Sequence, residues 1–187
     1  MALRFAILTA LAEREASGFE LAKRFDRLYG AFWAASHQQI YRELDRLSTA
    51  ELICEVPQPE RAERGQPKRF AITDAGRSNL RDWVSEIDEP VHLREPLIVR
   101  VRAAAVVGDL SGVRAVIAHH LEVHERLHSE YEAIEGRDFA TIDNDAAALR
   151  HLVLKGGIGL ERTWVQWCQE ALAVIDGMLE HSASARA

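Results

Sequence analysis

The sequence has little cysteine: Cys54 and Cys168 are the only two, far apart and in no metal-ligand spacing. That excludes a disulfide framework and a thiolate zinc site, and it fits reduced thiols in a cytoplasmic protein. No apolar run approaches the ~20 residues needed to cross a bilayer. The run "FAILTALA" after Arg4 is short for an export signal. Leu3, Ile7 and Leu11 also share one helical face, so a helix is expected there. Proline is scarce, and its five copies all fall between 57 and 67 or between 90 and 96. A G-x-S-x-G elbow, a P-loop, a dinucleotide fingerprint and a paired-carboxylate pattern are missing, so neither catalysis nor a cofactor is expected. The chain also lacks net positive charge, at −6. The deficit is local: residues 1–81 hold 13 Lys+Arg against 11 Asp+Glu, and residues 82–187 hold 10 against 18. A mildly basic part followed by an acidic one suggests two functional parts.

What is there is apolar periodicity. With 48% hydrophobic residues, a chain of 187 can bury a real core. A first helix is expected over Leu3–Glu13. In "REASGFEL", Ser17 and Glu20 have capping-box spacing, opening a second helix to about residue 29, with Gly30 as its stop. Phe19, Leu21, Ala22, Phe25 and Leu28 are its expected buried stripe. Ser36 and Gln39 repeat the cap pattern before a third helix, with Ile40, Leu44 and Leu47 inward. Two strands, 52–56 and 68–73, flank the proline-rich segment 57–67, giving a hairpin with a charged tip. Thr73 then caps a fourth helix with Leu80, Trp83, Val84 and Ile87 inward.

The segment 88–96 is the expected boundary, dividing a domain at 1–88 from one at 89–187. Beyond it, helices are expected over about 95–107, 111–135 and 143–180. Val113, Ile117, His120, His124, Leu127, Tyr131 and Ile134 alternate at spacings of 4 and 3, a heptad seam. The last helix carries Leu149, Val153, Leu160 and Trp167 in the same way. Its "KGGIG" allows either close approach of another helix or a kink.

Three short helices followed by a hairpin form the winged helix-turn-helix layout, mainly α, with a two-stranded wing and a helical carboxy-terminal domain. In it the third helix enters the major groove by its first turn. Glutamine can pair with adenine edges and arginine with guanine. Ser36, His37, Gln38, Gln39, Tyr41 and Arg42 are therefore the candidate reading residues. Arg61, Arg64, Lys68 and Arg69 are the candidate wing contacts. Taken alone, the first set is equally a solvated helix face. The second is equally a charged loop with Glu60 and Glu63 between its arginines.

The stretches "AILTALAEREASGFELAKRF", "FWAASHQQIYRELDRL" and "GQPKRFAITDAGRSNL" resemble the PadR family of bacterial transcriptional regulators over about residues 3–82. The long helical second half is similar to the branch of that family whose carboxy-terminal domain resembles that of virulence activators. The resemblance implies operator DNA as partner, a homodimer and often repression; it does not identify an effector, and since some relatives bind phenolic or drug-like molecules, a small aromatic effector is a further candidate partner. Two departures stand out. His37 and Gln38 replace the usual proline and glycine or serine, so base preference does not carry over. Ala50-Glu51 stands where a Glu-Gly turn is usual.

Three further groups call for weighing. His120, His124 and His128 line one helical face at i, i+4, i+8, as zinc or nickel ligands do, but no third ligand type is evident. Trp33 and Trp83 are candidate walls of an effector cavity or simply core. Leu127, Tyr131, Leu160, Trp164 and Trp167 are the candidate dimer contacts. The rival functions are a winged-helix adaptor that contacts another protein, which the net acidity favours, and a metal-responsive regulator using the histidine face.

Overall fold

The computed structural model describes residues 2–28, 35–57, 67–90 and 92–184. The elements are α1 (Ala2–Glu13), β1 (Ala16–Ser17), α2 (Gly18–Leu28), α3 (His37–Thr49), β2 (Ile53–Glu55), β3 (Arg69–Ile72), α4 (Asp74–Val84), α5 (Pro96–Val107), α6 (Leu110–Asp138) and α7 (Asp145–Ser184). They form two compact units, Met1–Pro90 and Val91–Ala187. Gly30, Trp33, Arg61 and Arg64 lie outside the described residues.

The first unit is a winged helix. Its core joins Ile7, Leu8 and Leu11 of α1 to Leu21, Ala22 and Phe25 of α2, Ile40, Leu44 and Leu47 of α3, and Ile53 and Ile72 of the sheet. The apolar stripes at helical spacing thus meet around one centre, the arrangement that buries most apolar area for three short helices.

The two expected wing strands, β2 and β3, pair with each other, and among the described residues a third strand, β1, which was not expected, joins their sheet. Its order is β1-β3-β2, all antiparallel, with Ser17 opposite Arg69 and Cys54 opposite Ala71. At two residues, β1 is too short to display any alternation, so nothing in the local pattern distinguishes it from a loop. Its pairing places Ala16 and Ser17 in the interior.

Two expectations about burial need correction. Phe19 is 50% exposed. On α4, Leu80 packs against the core, but Val84 and Ile87 are 74% and 99% exposed. The helix ends at Val84, with Ser85 as its C-cap, so Ile87 no longer shares the inward face.

The second unit is a helical assembly around Leu97 and Ala104 of α5, Val113 and Ile117 of α6, and Cys168 and Ile175 of α7. Glu95 caps α5 by accepting from the Leu97 N–H, with Pro96 as its first residue. Gly108, at φ 75°, ends the helix, and Asp109 caps α6 by accepting from the Gly112 N–H at 2.8 Å. The long hairpin of α6 and α7 is tied by Arg114 and Asp176, which pair through both carboxylate oxygens. Helix α7 runs unbroken through "KGGIG", so these glycines do not interrupt it, and Gly157 and Ile158 are buried. Among the described residues no helix is long and apolar enough to cross a membrane.

Candidate nucleic-acid interface

Helix α3 is held at its head by a reciprocal cap. The Ser36 hydroxyl accepts from the Gln39 N–H at 3.3 Å, and the Gln39 carbonyl oxygen accepts from the Ser36 N–H at 2.8 Å. Such a cap contributes about 1 kcal/mol. Ile40, Leu44 and Leu47 anchor the opposite side. With the inward face fixed, His37, Gln38, Tyr41 and Arg42 are all exposed. The cap commits the acceptor of Gln39. Its side chain therefore helps position the helix, and Gln38 is exposed beside it on the first turn.

Tyr41 lies against Gly18, the first residue of α2. A Cβ there would collide with the Tyr41 ring, so glycine is what lets the two helix starts approach. Beside them, the Phe19 ring meets His37 edge-on at 6.5 Å, and Lys23 Nζ sits 4.6 Å above the Phe19 ring. The exposed head is thus built from two helices. Phe19 was expected in the buried stripe of α2, and Lys23 carried no expected role. The signal was present: Leu21, Ala22 and Phe25 define an inward direction from which Phe19 departs by roughly 110°.

The wing residues divide. Lys68 is exposed on the wing and donates to Glu55 across the hairpin at 2.8 Å; this hydrogen bond, with the carboxylate charge, raises its pKa above the usual lysine value. Arg69 is not a free phosphate donor. It donates to Glu20 at 3.0 and 3.2 Å and to the Glu15 carbonyl at 3.0 Å. The cause is the extra strand: pairing Ser17 with Arg69 carries the guanidinium to the α2 capping box. Glu20 is held below the usual carboxylate range, first by the Ser17 N–H and then, against the cost of burial, by the Ser17 hydroxyl and Arg69.

Trp83 stacks on Phe5 of α1 with ring centroids 4.3 Å apart and planes 3° from parallel. One cleft of about 390 Å³ among the described residues of this unit is lined by Leu3, Arg4, Glu43, Arg46, Leu47 and Ala50. Trp83 therefore braces α4 against α1.

The histidine face does not assemble as a chelate. His124 bonds Glu161 at 2.6 Å and stacks on Trp164, while His128 faces Glu132 at 3.5 Å. Burial, then neighbouring His124, lowers the His120 pKa, with Glu95 opposing. Among the described residues no group of three or more His, Cys, Asp or Glu is placed to hold a metal. The heptad seam is used inside the chain: His124 meets Glu161 and Trp164 of α7. Trp164 and Trp167 pack against the buried cluster of their own unit, Leu127 and Tyr131 are half-buried, and Leu160 is 40% exposed.

Comparison with known proteins agrees with this geometry. Residues 7–82 match the transcriptional regulator PadR-like family, and residues 93–176 match the virulence activator alpha C-terminal family. A probable transcriptional regulator of Mycobacterium tuberculosis is 35% identical over 182 residues, covering 91% of this chain and 95% of that protein. The negative transcriptional regulator PadR of Bacillus subtilis is 28% identical over 185 residues, covering 93% and 97%. Its structure in complex with operator DNA superposes with a TM-score of 0.78 at 23% identity, covering 94% of this chain and 99% of that one, and it has also been solved with p-coumaric acid. The virulence activator AphA of Vibrio cholerae superposes with a TM-score of 0.76 at 30% identity, covering 94% and 99%. This chain belongs to the PadR-like family of transcriptional regulators.

Proposed function

We propose that the protein represses transcription by binding operator DNA as a homodimer in the cytoplasm, and that a small aromatic effector releases it. The observation that carries this reading is the exposed first turn of α3, presented by a helix whose cap and inward stripe are both satisfied. Gln38 and His37 are placed to meet base edges and Arg42 to meet phosphate or guanine, while Tyr41 braces the turn against Gly18. Lys68 extends the cationic surface onto the wing; Arg61 and Arg64, outside the described residues, are further candidate contacts by their place in the sequence alone. Arg69 and Gln39 hold these elements in place.

A homodimer follows from the way winged helices read palindromes: two α3 helices must enter successive major grooves about 34 Å apart. The apolar residues that α7 leaves exposed, Leu149, Leu152, Val153 and Leu160, support a subunit contact there, and half-buried Leu127 and Tyr131 of α6 are further candidates. The operator and p-coumaric acid complexes of the Bacillus relative support the choice of ligands, and its name supports repression. By linkage, an effector that weakens DNA binding is itself bound more weakly in the presence of DNA.

The test is a footprint on the DNA upstream of the protein's own gene, with the mass of the free protein measured in solution. The reading requires two protected half-sites related by a two-fold axis, a dimer mass, and weaker protection on addition of p-coumaric acid. A monomer, or uniform protection of unrelated DNA, contradicts it.

A further inference from the structure

We infer that Phe19 and Lys23 of α2 form a second reading element beside α3: Phe19 covers the C5-methyl of a thymine at the groove edge, and Lys23 holds the phosphate flanking it. This rests on the DNA-binding reading above and adds a residue class that reading does not contain.

Phe19 is held in place by its neighbours. Ser17 and Glu20 are fixed by mutual hydrogen bonds and by Arg69, and Leu21, Ala22 and Phe25 are fully buried. With five neighbours locked, the helical repeat leaves Phe19 and Lys23, one turn apart, on the outward side. Phe19 is half exposed although the adjacent core accepts other aromatics such as Phe25. A surface role alone does not call for a phenyl ring at this place.

The surroundings define what it meets. His37, the first residue of α3, lies at 6.5 Å, and Tyr41 closes on Gly18 directly before Phe19. Any duplex seated on the α3 head therefore passes Phe19. The apolar group that DNA offers in the major groove is the thymine methyl, and apolar side chains recognise it by contact. Lys23 is exposed and stands 4.6 Å above the ring, so its charge accompanies the phenyl to the backbone edge. In helix-turn-helix docking the helix preceding the reading helix crosses the backbone, which is where a cation on α2 is useful.

The experiment uses the full chain and the footprinted duplex from its own upstream region, with single thymines replaced by deoxyuridine. That replacement removes the methyl and nothing else. At one thymine in each half-site, the wild type should lose roughly four-fold in affinity, the weight of one buried methyl group. F19A, altered in both subunits, should lose that factor once per half-site, roughly fifteen-fold in all, and then be indifferent to that substitution, whereas F19L should retain most of the sensitivity. K23A should reduce the dependence of log K on log salt by about one per subunit. Equal sensitivity of F19A and wild type at every thymine overturns the Phe19 assignment, and an unchanged salt slope overturns that of Lys23. If wild type binds no DNA at any thymine composition, the reading beneath the inference fails, a result distinct from either. Phe19 is half exposed, so F19A should fold; an unchanged melting temperature confirms that its effect is on binding.

Discussion

Thr73 donates its hydroxyl hydrogen to the carbonyl of Glu51 at 2.8 Å, and Glu51 stands at φ 55° in the left-handed region. The same hydroxyl oxygen accepts from the Gly76 N–H at 3.0 Å and so caps α4. One residue thus holds the turn that leads into β2 and begins the helix that follows β3. The family turn carries glycine where this chain has Glu51, and the backbone has kept the conformation glycine favours. A non-glycine residue there costs about 1 kcal/mol. E51G should raise thermal stability by about 0.5–1 kcal/mol, and T73A should lower it by about 1 kcal/mol through loss of the cap. Denaturant melts of the two variants check this; a destabilised E51G contradicts it.

Glycines 18 and 76 separate two kinds of crowding. A Cβ at Gly18 meets the ring of Tyr41, which is half exposed and can swing away. A Cβ at Gly76 meets the backbone carbonyl of Leu52, which is held in the sheet region and cannot. G18A should therefore cost little stability but displace Tyr41, with a loss of DNA affinity. G76A should cost about 1–3 kcal/mol, in the range of overpacked interiors. Tyrosine fluorescence and binding measured on both variants test the contrast, and a G76A protein as stable as wild type refutes it.

The Arg69–Glu20 pair makes stability depend on acid. The folded carboxyl of Glu20 lies below its ordinary value of 4.5, chiefly through the Ser17 N–H. A depressed folded pKa stabilises the fold above the unfolded value, and that contribution is lost as pH falls through the folded one. Melting temperature should therefore decline below about pH 4.5, and E20Q should decline less steeply over the same window. Both partners are partly exposed, so the charge pair adds well under 1 kcal/mol at neutral pH. A pH profile for E20Q that parallels wild type contradicts the assignment.

In the second unit, Glu161 is 4% exposed and its carboxylate faces His124 at 2.6 Å. Removing one member strands the other in an apolar interior. H124A should destabilise the protein by about 3 kcal/mol, and the double variant H124A/E161L should recover much of the loss. Denaturant midpoints of the single and double variants measure this. Equal destabilisation by both contradicts a buried pair.

Much of this architecture was legible in the residues. The stripe Ile40, Leu44, Leu47 and both capping boxes are local patterns, and local patterns survive folding when burial agrees with them. The helices of the second unit were equally plain, because long apolar periodicity has few competing interpretations. Part of what was not legible depended on partners distant in sequence, and part on weighing local signals that were present. Strand β1 exists because β3 lies beside it, and nothing within two residues announces that. Arg69 reads as a wing cation until the register brings it to Glu20. Gln39 reads as a base-reading residue, yet its carbonyl oxygen is spent on the cap. Phe19 was assigned inward because it is apolar, and only the buried positions around it turn it outward.

The central claim is that an acidic chain reads DNA through a locally cationic head. Titrating full-length protein into a fluorescent duplex from its own upstream region, at two salt concentrations, tests this most directly. Lys23, Arg42 and Lys68 on each of two subunits predict a slope of log K against log salt of about −5, with R42A lowering both affinity and slope. A wild-type protein that ignores the duplex at low salt, or binds it with no salt dependence, contradicts the account.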